Sequence, residues 1–177
     1  MHETATCDAP CNIRPMQATD LDMVLAWRNH PDVRQHMLTQ HVITLDEHRQ
    51  WFERSLHNPQ RQIMLVENQD LPFGLVHFTG IAPQASVDWG FYLAPDAAKG
   101  SGRALGQSAL SFAFEQMQMH KLCGQVLEGN AASVRFHERL GFSLEGRLRE
   151  QVFIQSHHRD LLCFGLLRSE WLKTSLT

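Results

Sequence analysis

Two segments of the chain carry residue types and spacings that can do chemistry. The first runs Phe91-Tyr92-Leu93-Ala94-Pro95-Asp96-Ala97-Ala98-Lys99-Gly100-Ser101-Gly102-Arg103-Ala104. An extended run stops at Pro95, glycines follow, and a helical pattern opens behind them. Glycines let successive backbone amides turn into one concavity, and a helix start adds partial positive charge. Together they make an anion site suited to a pyrophosphate, with Lys99 and Arg103 adding charge at its flanks. An ordinary tight strand-to-helix turn gives the same pattern, so the loop alone is not specific. It is not Gly-x-x-x-x-Gly-Lys-Ser/Thr, and it lacks the three glycines that open a dinucleotide-binding unit. The second segment, Leu127 to Phe142, places Asn130, Ser133, His137 and Gly141-Phe142 behind the next strand-like run.

Other clusters carry less. His36, His41, His48 and the pair His157/His158 are scattered, and none has the His-Glu-x-x-His form that puts two metal ligands on one helix face. Solvated surface is the plainer reading, and no metal is expected. Cys7, Cys11, Cys123 and Cys163 have neither the density of a disulfide scaffold nor the paired spacing of a zinc site.

The elements that position these residues follow from periodicity. Residues 1–11 read as a leader and 12–177 as one domain. Asn12 to Met16 is a short strand. Thr19 reads as the cap of a helix with Asp20 and Asp22 in its first turn and Leu21, Val24 and Leu25 on its apolar stripe. Thr44-Leu45-Asp46-Glu47 is a capping box for a helix carrying Trp51, Phe52 and Leu56. Gln62 to Glu67 and Leu71 to Thr79 form a hairpin around Asn68-Gln69-Asp70, and Ser86 to Leu93 is a third strand. A helix from Arg103 to Met117 follows, then a strand from Leu122 to Leu127 and a helix from Ala131 to Leu140. Two further strands, Leu148 to Ile154 and Asp160 to Leu167, flank the polar turn Gln155 to Arg159. That order predicts an α/β sheet with helices on both faces.

Read together, the two segments resemble the GNAT superfamily of N-acetyltransferases. Its members carry a phosphate loop of the form Arg/Gln-x-x-Gly-x-Gly/Ala, then a strand, then Asn-x-x-Ala/Ser-x-x-x-Tyr-x-x-x-Gly-Phe. The match falls on Gly100, Gly102, Asn130, Ser133, Gly141 and Phe142, with Ala97 at the Arg/Gln position and His137 at the Tyr position. The resemblance implies the GNAT fold, a mixed, mostly antiparallel sheet, and acetyl-CoA as co-substrate without a metal. It implies cofactor contacts from Phe91, Leu93, Lys99, Gly100, Ser101, Gly102, Arg103, Ala104, Asn130, Ser133 and Phe136. The third strand of the meander should splay from the strand after the loop, leaving a gap for the acetyl group. The amine must attack neutral, and something must protonate the departing sulfur. His137 stands where the family's Tyr does this, and an imidazole can do it near neutral pH, although a surface helix position is the equal alternative.

Side chains near that gap are the substrate candidates. His77 and Thr79 share one strand face, Asp88 lies on the next strand, and Gln125 and Glu128 lie beyond it. Glu128 is a base or a solvated strand end; Asp88 is a substrate contact or a structural acceptor. Trp27-Arg28-Asn29-His30-Pro31 resembles a segment of the amino-sugar N-acetyltransferases of pseudaminic acid biosynthesis, which acetylate a UDP-linked 4-amino-4,6-dideoxy sugar used in flagellin glycosylation. Arg28 and Asn29 then contact substrate, with Arg28 or Arg34 meeting the pyrophosphate; alternatively Trp27 is core and Arg28 and Asn29 cap a helix end. Ribosomal-protein N-terminal or polyamine acetylation, and a non-catalytic acyl-CoA-binding module, are the competing readings.

Composition sets the outer limits. The 177 residues are 43% hydrophobic and 20% charged with a net charge of -3, which suits one globular domain and gives no basic face for nucleic acid. No apolar run approaches the ~20 residues of a membrane helix, and Met1 to Pro10 has no basic-then-apolar signal pattern. A cytoplasmic enzyme of a small amine, with no nucleic-acid or membrane partner, is expected. A homodimer is left open.

Overall fold

The computed structural model describes residues 11–175. Most of the expected leader, with Cys7, lies outside the described residues. Seven strands form one sheet in the order β1-β2-β3-β4-β5-β7-β6. They are β1 (Asn12–Pro15), β2 (Arg61–Asn68), β3 (Leu71–Thr79), β4 (Ser86–Leu93), β5 (Lys121–Leu127), β6 (Ser143–Ile154) and β7 (His157–Leu167). All neighbours are antiparallel except β4 and β5. The helices are α1 (Leu21–Asn29), α2 (Pro31–Arg34), α3 (Leu45–Leu56), α4 (Ser101–Ser111), α5 (Ala131–Arg139) and α6 (Arg168–Ser175).

Local chemistry explains most boundaries. Glu47 and Thr44 cap α3 reciprocally, the Thr44 amide donating to Glu47 Oε2 at 2.7 Å. Thr19 is not a cap. The chain enters α1 through a 3-10 turn, Ala18–Asp20, and the Asp20 carboxylate accepts from the Gln17 amide at 2.8 Å while Arg14 grips both its oxygens. The short α2 begins with Pro31, whose fixed φ suits a first helical position. Helix α4 starts two residues earlier than the periodicity suggests and ends in a π turn, Phe112–Gln116.

The β2–β3 and β6–β7 hairpins close in two-residue turns. Gln69 and Asp70 have φ of 50° and 63°, and Gln155 and Ser156 have 52° and 65°. Positive φ at both central residues matches the strand twist, although Gln-Ser is a poor sequence signal for it. The expected turn Gln155–Arg159 therefore shrinks, and β6 and β7 lengthen beyond the runs read from sequence. Strand β6 is a sheet edge whose side chains are mostly exposed, so Ser143 to Arg147 carries no apolar alternation to betray it.

Each sheet face buries its own core. Val76, Phe78, Val87, Trp89, Leu122, Val126 and Phe164 pack against Leu105, Ala109 and Phe142 on the α4/α5 side. Ile63, Leu65 and Leu75 pack against Val24, Trp27 and Phe52 on the α1/α3 side. The feature that matters for function lies between them. Strands β4 and β5 pair only from Ser86↔Lys121 to Trp89↔Gly124. Beyond that point β4 stays with β3 as far as Leu93, and β5 stays with β7 as far as Leu127. The two strands part, and a gap opens in the middle of the sheet.

Candidate functional site

A cleft of about 970 Å³ opens at that gap. Phe91, Leu93, Gly102, Asn130, Ser133, Phe136 and His137 line it beside α4 and α5, and Arg28, His77 and Gln125 line it on the other side. Ten of the residues singled out from sequence are thus brought to one cavity. Lys99, Gly100, Ser101, Arg103, Ala104, Asn29, Thr79, Asp88 and Glu128 are not among its lining residues.

The loop before α4 carries the donors that an anion cradle needs. Gly100 caps α4 with φ 97°, a conformation in which any side chain would be strained. The Ser101 amide donates to Ala98 at 3.1 Å and the Arg103 amide to Gly100 at 3.0 Å, so these two donors are spent on the turn. No backbone carbonyl takes up the amides of Lys99, Gly100 or Gly102 among the described residues. Lys99 and Arg103 are exposed beside them, and Ser101 is buried. A Cβ on Gly102 would meet nothing nearer than 3.8 Å, so no packing constraint explains the glycine there. Asn130 caps α5, its Oδ1 accepting from the Ser133 amide at 3.1 Å. Phe136 stacks obliquely on Phe91, centroids 4.5 Å apart, and forms one wall of the gap.

His137 is 2% exposed, boxed by Trp89, Phe91, Phe136, Phe142 and Phe164. Its Nδ1 stands 2.8 Å from the Ser133 carbonyl, which fixes the proton on Nδ1 and leaves Nε2 as a bare acceptor. Burial pushes its pKa down, against the opposing pull of the Ser133 carbonyl. It is therefore no surface helix residue. Nor does the ring hold a spare proton: protonating a thiolate from Nε2 would first require charging a buried imidazole.

The opposite end of the cleft is made of side chains. Arg28 donates from Nη2 to the Thr39 carbonyl at 2.7 Å, while its Nη1 is buried without a partner. His48 stacks on Trp51 at 5.0 Å, and the Arg61 guanidinium lies 5.6 Å from the same indole. His48 Nε2, Arg61 Nε and His77 Nδ1 are likewise buried without hydrogen bonds among the described residues. Tyr92 lines this end too, near Arg28, and burial raises its pKa. The acidic lining residues are Asp32 and Glu47, and Glu47 is occupied by Thr44 and by His41 at 3.2 Å.

Other candidates fall elsewhere. Asn29 is structural: its side chain donates to and accepts from the Ile43 backbone, both at 2.8 Å, tying α1 to the segment before α3. Thr79 and Asp88 are register partners on β3 and β4, at the closed end of the sheet away from the gap. Glu128 is held by Arg147 at 2.7 Å, and Arg147 also grips Asp160, so this carboxylate does not reach the cleft as a base. His48, Trp51 and Arg61 were not signalled as site residues. The spacing of His48, Trp51 and Phe52 on α3 puts them on one inward stripe, which could have found the first two. Arg61 leaves no such trace. No group of three or more His, Cys, Asp or Glu among the described residues could hold a metal, and none of the helices described is long and apolar enough to cross a membrane.

Known proteins share this architecture. The chain is 28% identical to the acetyltransferase PseH of Campylobacter jejuni over 85% of its own length and 96% of that protein's. It is 26% identical to a spermidine N(1)-acetyltransferase of Vibrio cholerae, over 92% and 96%. The crystal structure of the Vibrio cholerae spermidine N-acetyltransferase in complex with CoA and spermine superposes with a TM-score of 0.85 at 25% identity, covering 92% of this chain and 98% of that one. The model of the acetyltransferase (GNAT) domain matches residues 11–143, most of the chain and all of the elements that line the gap on its β4 and α5 sides. The chain belongs to the GNAT acetyltransferase family.

Proposed function

We propose that this enzyme moves the acetyl group of acetyl-CoA to the primary amine of a phosphate-bearing acceptor, the 4-amino group of a UDP-linked 4-amino-4,6-dideoxy sugar. The CoA pyrophosphate sits on the free amides of Gly100 and Gly102, with Lys99 and Arg103 adding charge, and the pantetheine arm enters the gap beside Phe91, Leu93 and Phe136. The free backbone of β4 and β5 beyond Trp89 and Gly124 can pair with its amides. The acceptor enters from the α1/α3 side, its neutral amine attacks the thioester carbonyl, the nitrogen gives up a proton to water as the amide forms, and the C–S bond breaks. His137 holds the wall of the gap, and the departing thiolate takes its proton from water.

One observation carries the choice of acceptor. The α1/α3 end presents Arg28 and Arg61, each with a buried nitrogen that lacks a partner, beside His36, His41, His48 and His77. Buried, unpaired guanidinium donors call for an anion, and a phosphate accepts them with charge-assisted bonds. A polycation entering here would meet like charge. The likeness to PseH points the same way. The likeness to the spermidine enzymes, as close in identity, supports the second reading, a polyamine acceptor. A competition assay decides between them. Purified enzyme with acetyl-CoA, offered the UDP-linked amino sugar, spermidine and an N-terminal peptide together, should place the acetyl group almost entirely on the sugar, read from the masses of the acetylated products. Preference for spermidine or the peptide would reject the sugar reading.

A further inference from the structure

Two glycines mark the point where the strands part: Gly90, the first residue of β4 beyond its pairing with β5, and Gly124, the last paired residue of β5. Each is covered by an imidazole, and the two rings lie on opposite faces of the sheet. A Cβ on Gly124 would overlap His137, which belongs to the α4/α5 side, and a Cβ on Gly90 would overlap His77, which belongs to the α1/α3 side. His137 spends a nitrogen on the Ser133 carbonyl. Among the described residues His77 spends none: no hydrogen bond ties its ring, and its Nδ1 is buried without a partner. A ring kept only for packing would be cheaper as Leu or Phe, because an unmet polar atom costs free energy in a buried place.

We propose that His77 meets the acceptor amine, its imidazole accepting a hydrogen bond from the attacking nitrogen at the mouth of the gap. Strand β3 fixes the Cα of His77 opposite Gly90, and the missing side chain at Gly90 leaves room for the ring over β4. Gln125 of β5 and Gly90 line the same stretch of cleft, so the ring stands at the entrance on the side from which the acceptor comes. The ring is neutral there: burial pushes its pKa down to about 4, and the Arg61 guanidinium on β2 pushes the same way. A neutral ring can accept an N–H and leave the amine lone pair free to face the thioester; a charged one would repel an ammonium. This inference rests on acetyl transfer across the gap, and not on which amine is carried.

The experiment compares His77→Phe, His77→Gln and Gly90→Ala in the full chain. The acceptor is the UDP-linked amino sugar or spermidine, whichever wild type turns over, or ethylamine at high concentration if it turns over neither. The last result would count against the assigned substrate class alone. His77→Phe keeps the bulk and loses the acceptor, so kcat/KM for the amine should fall about tenfold to a hundredfold, with the KM for acetyl-CoA within about twofold of wild type. Gly90→Ala should bring a similar loss by pushing the ring off β4. His77→Gln, which keeps an acceptor oxygen at similar reach, should recover most of the rate. A His77→Phe enzyme within about threefold of wild type overturns the proposal. So does a His77→Gln enzyme as slow as His77→Phe, because a hydrogen-bond acceptor at this position would then not be what the reaction uses. A shared loss of acetyl-CoA binding by all three variants also overturns it, since the site would be structural.

Discussion

The loop before α4 offers free donors from its backbone, whereas the α1/α3 end of the cleft offers charge from side chains. At the loop, the amides of Gly100 and Gly102 point where a helix start already favours negative charge, and the side chains beside them are exposed. At the far end, Arg28, His48, Arg61 and His77 come from two helices and two strands and leave polar atoms buried without partners. A backbone site serves one ligand across a whole family, because any sequence with glycines in place can build it. A side-chain site changes with each substitution. The difference explains how PseH and a spermidine acetyltransferase can resemble this chain equally.

Breaking the backbone site should have the largest effect. Gly102→Asp puts a carboxylate where the proposed function seats the pyrophosphate, and a Cβ there makes only ordinary van der Waals contacts, so the variant should fold. Acetyl-CoA affinity measured by calorimetry should fall at least ~100-fold, or about 2.7 kcal/mol. An unchanged Kd in the folded variant would remove the phosphate-loop assignment. Breaking the side-chain site should cost less and discriminate between acceptors. Arg28→Ala should raise the KM for the UDP-linked sugar roughly tenfold to a hundredfold, the range of one charge-assisted hydrogen bond, and leave the KM for acetyl-CoA alone. Equal losses with spermidine and the sugar would show that Arg28 serves the fold.

His137 sharpens the contrast from the wall between the two ends. Because its proton is committed to Ser133, His137→Ala should lower kcat by less than about tenfold, well short of the 10²–10⁴ expected of a positioned proton donor. Its main cost should be stability, about 2–3 kcal/mol for a buried ring replaced by a cavity, read from denaturant midpoints. A kcat loss beyond a hundredfold with stability retained would restore it as the acid. The gentlest effect is on pH. His48, His77 and His137 all have pKa values lowered by burial, so below pH 6.5 the unfolded chain binds protons that the folded chain does not. Stability should therefore decline as pH falls from about 6.5 toward 4, and His77→Phe should flatten that slope. A slope unchanged in the variant would mean that the folded His77 titrates normally.

What could be read from the sequence divides along the same line. The phosphate loop, Asn130 at the cap of α5, the capping box of α3 and the β2–β3 hairpin are local: each depends on residues within a few positions of each other. The mixed, mostly antiparallel sheet with helices on both faces followed from the family motif as much as from the pattern of elements. Arg61 had no local signature, because its role depends on β2 passing under Trp51 of α3. Asn29 and Glu128 looked like site residues until tertiary partners claimed them, Ile43 for the first and Arg147 for the second. His137 carried the right motif position, but its tautomer is set by Ser133 and its burial largely by four aromatic neighbours from outside its own helix, Trp89, Phe91, Phe142 and Phe164.

The parting of β4 and β5 also bears on solubility. Exposed strand edges are usually a hazard, because their free amides and carbonyls recruit strands from other chains. Here two such edges face inward, one on each side of the gap, walled by Phe91, Phe136 and His137. A neighbouring chain cannot lie along them, whereas a slender arm with amides of its own can. The sheet thus keeps unspent pairing capacity in its middle without offering it to aggregation.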